Sequence, residues 1–199
     1  MQQQSAEDIL AARTCGKCTA CCRFLPIAEP TLSKPMGVLC QHCKPGQGCT
    51  VYELRPGACR GWNCGWRKLP NLGPAWRPDK SGIMLRMDGD PFVDGVTISV
   101  IGGAPALRNK QLDLLVSAWI EAGIKVYLQC VGPQGFLPSL TLVNPVVEDA
   151  VRTGNPALVG RALRDIFDAV QKQHVWQPDG LQHRSSVREG RTLAEAAQS

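Results

Sequence analysis

The sequence predicts an α+β protein, with an irregular, cysteine-rich, metal-stabilised N-terminal region packed on a small α/β two-layer unit of about four strands and three helices. Three observations lead there. Nine of the ten cysteines lie between Cys15 and Cys64. Residues 15–80 are rich in Cys, Gly and Pro and keep no sustained period, which reads as loops and short turns. From residue 81 onward, segments of strand and helix period alternate. The expected division is 15–80 as the cysteine-rich region, 81–176 as the α/β unit and 177–199 as a flexible tail.

Residues 1–14 read as a short amphipathic helix with Ser5 as its cap. The segment 15–80 offers only scattered apolar residues such as Phe24, Tyr52, Trp62, Trp66 and Trp76, too few to order it, so bound metal is expected to supply much of its folding free energy. Ile83 to Met87 and Val96 to Ile101 read as strands joined across the turn-rich stretch from Asp88 to Gly95. Pro105 is expected to open a helix carrying Leu112, Leu115, Val116 and Trp119 at helical spacing, closed by Gly123. Ile124, Val126, Leu128 and Cys130 alternate with polar neighbours, the pattern of a half-buried strand, and place Cys130 in the core. Leu140 to Val143 reads as a further strand. Asn144-Pro145 and Asn155-Pro156 each read as a cap followed by a first turn. The second starts the longer helix, with Leu158, Val159, Ala162, Leu163, Ile166, Phe167 and Val170 along one stripe. After Trp176 the composition is polar, as in a loose tail.

At 44% hydrophobic and 20% charged residues the chain has globular composition. No apolar run approaches a membrane span, and the first twelve residues lack the features of a secretory signal. The expected setting is therefore the reducing cytoplasm, where cysteines bind metal or do redox work rather than form structural disulfides. Charge is uneven, with 11 basic and 5 acidic residues in 1–82 against 11 and 12 in 83–199. Metal-bound cysteines are thiolates, and eight of them with two divalent ions add about −4. Lys17, Arg23, Lys44, Arg55, Arg60 and Arg67 then read as counter-charges to an anionic centre, in preference to a nucleic-acid footprint.

The cysteines are spaced Cys15-x2-Cys18-x2-Cys21-Cys22, then Cys40-x2-Cys43-x5-Cys49-x9-Cys59-x4-Cys64. A C-x2-C turn lets two sulfurs reach one metal while backbone N–H groups point at them, and nine cysteines in so short a stretch make a strong metal signal. Adjacent side chains such as Cys21 and Cys22 are expected to diverge, implying a binuclear centre or two neighbouring sites. Cys43 is the ninth, a spare, a bridge or a redox thiol. Zinc accepts four thiolates in closed structural sites. Iron–sulfur clusters also take four, and Cys15, Cys18 and Cys21 share the ferredoxin spacing before Cys22 breaks it. Zinc is placed ahead of an iron–sulfur cluster. His42 reads as turned from the metal, His174 and His183 as uninvolved, and Gly102-Gly103 as an ordinary tight turn. Trp62 and Trp66 read as shields of the site from water. No Ser-His-Asp set, paired carboxylates or phosphate loop is present, so no catalytic residue is assigned.

The stretch Cys15-Gly-Lys-Cys-Thr-Ala-Cys-Cys-Arg23, with Gly48-Cys-Thr-Val-Tyr-Glu-Leu-Arg-Pro56 and Cys59-Arg60 through Cys64, resembles the YkgJ family of cysteine-cluster proteins, described as zinc- or iron-chelating. The resemblance covers residues 15–66. It implies Cys15, Cys18, Cys21, Cys22, Cys40, Cys49, Cys59 and Cys64 as ligands, with Cys43 an addition. The same signature is similar to part of the flagellin lysine-N-methylases, whose body has no counterpart here. The expected function is metal binding in a structural or metal-handling role. The alternatives are an iron–sulfur redox or methyl-transfer-linked enzyme, and a zinc module contacting nucleic acid or a protein. The partners expected are the metal ion and no membrane; nucleic acid is disfavoured and a protein partner stays open.

Overall fold

The computed structural model describes residues 6–87, 94–132, 136–172 and 175–176. The predicted Ser5 cap, most of the loop after Met87, the two distal histidines and the tail from residue 177 lie outside the described residues. Among the described residues the protein is a mixed α+β structure, and no helix is long and apolar enough to cross a membrane.

The N-terminal part runs α1 (Ala6–Ala12), α2 (Ala20–Phe24), β1 (Ile27–Glu29), β2 (Leu32–Lys34), β3 (Cys43–Lys44), β4 (Gly48–Cys49), α3 (Gly57–Gly61), α4 (Gly65–Lys68) and α5 (Pro78–Ser81). Strands β1 with β2 and β3 with β4 form two small antiparallel hairpins. None of the helices α2 to α5 exceeds five residues, which is why no helical period shows in this stretch. Helix α1 is fastened to α4 by two arginines. Arg67 donates to the carbonyls of Arg13 and Leu10 at 2.7 and 2.6 Å. Arg13 donates to those of Trp66, Leu69 and Pro70.

The second part contains β5 (Ile83–Arg86), β6 (Val96–Val100), α6 (Lys110–Glu121), β7 (Val126–Cys130), β8 (Phe136–Leu137), β9 (Ser139–Leu142), α7 (Asn144–Arg152), α8 (Pro156–Val170) and β10 (Val175–Trp176). One four-stranded sheet has the order β5-β6-β7-β9. Only β6 and β7 are parallel, as a helical crossover through α6 requires. Leu112 and Val116 of α6, and Val159 and Leu163 of α8, are fully buried with Ile98, Val126 and Leu128. Strands β8 and β10 pair separately.

Three local expectations need correction. Pro105 opens a 3-10 turn, Ala104–Arg108, and α6 starts only after it, because the Asn109 side chain accepts the N–H of Gln111 and caps the helix there. Asn144 does not cap α7. Its amide instead clamps the entry to β7, accepting from Val126 N at 2.7 Å and donating to Ile124 O at 3.0 Å. Strand β7 is not half-buried, because Gln129 is also enclosed and accepts a hydrogen bond from Ser99 at 2.7 Å. Asn155 caps α8 as read, accepting from Ala157 N.

The cysteine-rich part leans on the edge strand β5. Gly65 of α4 packs so tightly on it that a Cβ would lie 2.7 Å from that of Leu85. Cys18, Ala20, Cys64, Trp66, Leu72 and Trp76 join the core that includes the sheet and its helices. Ile27, Leu32, Cys40 and Cys43 form a separate small core.

Candidate metal centre

Four chain segments bring the cysteines together. The turn after Cys15 closes with a Cys18 N–H to Cys15 O bond of 3.0 Å and leads into α2, which carries Cys21 and Cys22. The backbone bond from Cys40 N to Cys22 O, 2.9 Å, ties the next segment to that helix. Cys43 and Cys49 face each other across the β3–β4 hairpin. Gly48, at φ 89°, lets that hairpin meet the first turn so closely that any Cβ would collide with the carbonyl of Gly16. Cys59 lies on α3, and Cys64 directly precedes α4.

Cys15, Cys18, Cys21, Cys22, Cys40, Cys49, Cys59 and Cys64 all line one cavity of about 490 Å³. Cys43 does not belong to its wall but lies behind it, 6% exposed and hydrogen-bonded to Cys22. None of the ten cysteines is in a disulfide, and Cys130 is buried in the sheet core. The Cys21 and Cys22 sulfurs do not diverge. They stand 4.0 Å apart, within hydrogen-bond reach of each other.

The cysteines divide into two neighbourhoods meeting at that pair. Cys18, Cys21 and Cys64 pack in the main core, and the charge of Cys15 acts on all three. Cys22, Cys40, Cys43 and Cys59 pack with Ile27 and Leu32, and Cys49 interacts with Cys22 and Cys40. Each neighbourhood therefore contributes four sulfurs to the cavity, with Cys43 as a fifth member of the second.

Backbone N–H groups support several thiolates. Those of Ala20 and Asp79 point at Cys18, that of Val51 at Cys49, and those of Arg67 and Trp66 at Cys64. Burial nevertheless pushes the Cys18 thiol up to about 11 and raises Cys49, Cys59 and Cys64. Cys22 is the exception. Hydrogen bonding from Cys21, then from Cys43, with the charges of Lys34 and Arg55, brings it down to about 6. Its partner Cys21 is raised by the same bond and by burial.

Of the six basic residues expected as counter-charges, Lys17, Arg23, Lys44 and Arg60 are exposed. Arg55, lying 3.7 Å over the Tyr52 ring, and Arg67 are in the cavity wall. The sequence reading missed Lys34. It is 6% exposed, and its ammonium donates to the carbonyls of Arg23, Leu25 and Pro35. Lys34 shares the strand face of buried Leu32, two residues before it, which is the one sequence signal of its burial; a lysine there otherwise looks like any solvated cation. Met84 and Arg86, from β5, also line the cavity, as do Trp62, Trp66 and His42. The His42 ring nitrogen Nε2 lies 3.4 Å from the Gln41 side-chain amide, at an exposed position.

The donor set fits a thiophilic metal in chemistry and in number, with eight sulfurs, apolar walls and amide support. The fit is looser in position: among the described residues, no group of three or more His, Cys, Asp or Glu side chains is placed to hold one ion. The sulfurs ring a cavity instead of meeting at points. Comparison with protein-family models, curated proteins and solved structures finds no match to this chain.

Proposed function

We propose that this chain is a metal-binding protein that holds its metal in two adjacent four-sulfur sets, Cys15, Cys18, Cys21 and Cys64 in one and Cys22, Cys40, Cys49 and Cys59 in the other. The observation that carries this reading is the single cavity into which eight cysteines from four distant segments face. These are the same eight that the resemblance to the YkgJ family implies. Zinc suits two closed tetrathiolate sites, with a structural or metal-handling role in a reducing cytoplasmic setting. In that role Lys34, Arg55 and Arg67 offset thiolate charge, while Trp62 and Trp66 keep water from the sulfurs.

One observation favours the second reading, an iron–sulfur protein. A cavity of about 490 Å³ is wider than two bare ions need, and clusters that bring their own sulfide fill more of such a space. Elemental analysis and an absorption spectrum of anaerobically purified protein separate the readings. Colourless protein with stoichiometric zinc supports the first, and brown, air-sensitive protein with iron and sulfide supports the second. Cys18→Ser and Cys59→Ser should each lower metal content while Cys130→Ser leaves it unchanged. Metal-free protein from both anaerobic and metal-supplemented preparations would overturn both readings.

A further inference from the structure

Of the nine clustered cysteines, Cys43 alone stays outside the cavity wall. It is buried with Ile27, Leu32 and Cys40, and it faces Cys49 directly in the β3–β4 hairpin. Just beyond that pair, Thr50 N donates to His42 O at 2.8 Å, so Cys43 and Cys49 hold a non-hydrogen-bonded position of the ladder. Facing residues at such a position have Cα atoms about 4.5 Å apart and side chains on one face of the strands. A disulfide spans Cα separations of about 4.4–6.8 Å, so a bond between these two sulfurs asks little movement of the strands.

Further contacts hold the hairpin in that register. The Thr50 hydroxyl donates to the same His42 carbonyl at 2.9 Å, and a bond from Gln47 N to Lys44 O at 3.0 Å closes the turn. Gly48 meets Gly16 so closely that the hairpin is pinned against the first cysteine turn. The two thiols differ in access. Cys49 is half-buried in the cavity wall, within reach of a small solute, whereas Cys43 is sealed behind it.

We propose that Cys43 is the resolving thiol for Cys49, so that a hydroperoxide opens the second four-sulfur set reversibly. The Cys49 sulfur attacks one oxygen of hydrogen peroxide, the O–O bond breaks, and the other oxygen leaves as water. The Cys43 sulfur then attacks the sulfenic sulfur, the S–O bond breaks, and that oxygen leaves as a second water with the thiol proton. Two thiols lose two electrons, and one peroxide becomes two waters. Cys49 is then lost to the second set, which keeps Cys22, Cys40 and Cys59, and the metal of that set is released. Cys43 stops the oxidation at a disulfide, which a thiol reductant reverses, before Cys49 climbs to the irreversible sulfinic acid. A reducing compartment suits a disulfide of this transient kind. The release of metal rests on the two-set reading proposed above, whereas the pairing of the two thiols does not.

The test treats the full chain, as purified under reductant, with hydrogen peroxide and maps disulfides by peptide mass spectrometry. A chromogenic chelator follows metal release, and dithiothreitol with added metal follows recovery. The parent should form the Cys43–Cys49 link, release metal as the link forms, and regain it on reduction. Cys43→Ser should hold metal before treatment, yet lose most of its recovery as Cys49 sulfinic acid accumulates. A chain that forms the link but never holds metal would sink the two-set reading and leave the dithiol standing. A first link from Cys43 to Cys22, its hydrogen-bond neighbour, would overturn the proposal. So would a Cys43→Ser protein that recovers its metal like the parent.

Discussion

Cys22 receives hydrogen bonds from Cys21 and Cys43 and lies within the field of Lys34 and Arg55. It is the sulfur most inclined to be a thiolate before any metal arrives. Cys43 serves it from behind the cavity wall, and burial pushes the Cys43 thiol up to about 12. Cys43→Ser should therefore keep its metal, because the hydroxyl can still donate to Cys22. Metal-to-protein ratios would check this, and loss of metal would make Cys43 a ligand. Cys130 supplies a pH prediction. Burial alone raises its thiol from 9.0 to about 12. A folded-state value above the unfolded one contributes stability that is complete below about pH 9 and lost as pH climbs toward 12. Metal-free parent protein should thus lose thermal stability across that window more steeply than metal-free Cys130→Ala. Parallel declines would mean that Cys130 ionises freely in the fold.

Elements of four or five residues cannot sustain themselves, so α2 to α5 owe their existence to what they touch. Helix α4 is held by the Gly65 contact with Leu85 and by the Arg67 and Arg13 bonds to neighbouring carbonyls. The long helices depend on close approach as well, and Gly160 of α8 marks the tightest place. Gly65→Ala should destabilise the protein by about 1–3 kcal/mol, because its methyl would meet the Leu85 Cβ, which cannot swing aside, whereas at Gly160 the contact is the movable carboxyl end of Asp113. Gly61→Ala, in α3 with nothing within 4 Å of its Cβ position, is the control and should be close to neutral. Urea unfolding midpoints would compare them, and equal midpoints would show that the α4–β5 contact yields without cost.

Across the molecule, apolar packing is unequal. The larger core takes in Cys18, Cys64, Trp66, Leu72 and Trp76 together with the sheet and its helices. The smaller has only Ile27, Leu32, Cys40 and Cys43 as buried members. A core of four residues cannot offset the chain entropy of two hairpins and α3, whereas structural thiolate sites contribute roughly 10–16 kcal/mol of apparent binding energy. The sequence division at residue 80 implies that chelation frees all of 15–80. The shared core moves the break: chelation should expose residues 27–59 to protease and hydrogen exchange, while 64–76 stay protected with the sheet. Protection that persists in 27–59 after complete metal removal would show a preformed scaffold instead of metal-coupled folding.

The sequence by itself determined the gathering of nine cysteines, the two helical stripes now seen as α6 and α8, the strand segments now seen as β5, β6 and β7, and the core position of Cys130. Those signals are local: composition, period and spacing survive without knowledge of partners. Tertiary structure alone decided that Asn144 clamps a strand instead of capping its own helix, that Lys34 is buried, that Cys21 and Cys22 converge, and that Cys43 stands behind the cavity wall. Most of these depend on a contact between residues well separated in the chain, and the Cys21–Cys22 approach depends on the local backbone conformation; no spacing along a sequence encodes where a distant backbone carbonyl, sulfur or guanidinium will stand.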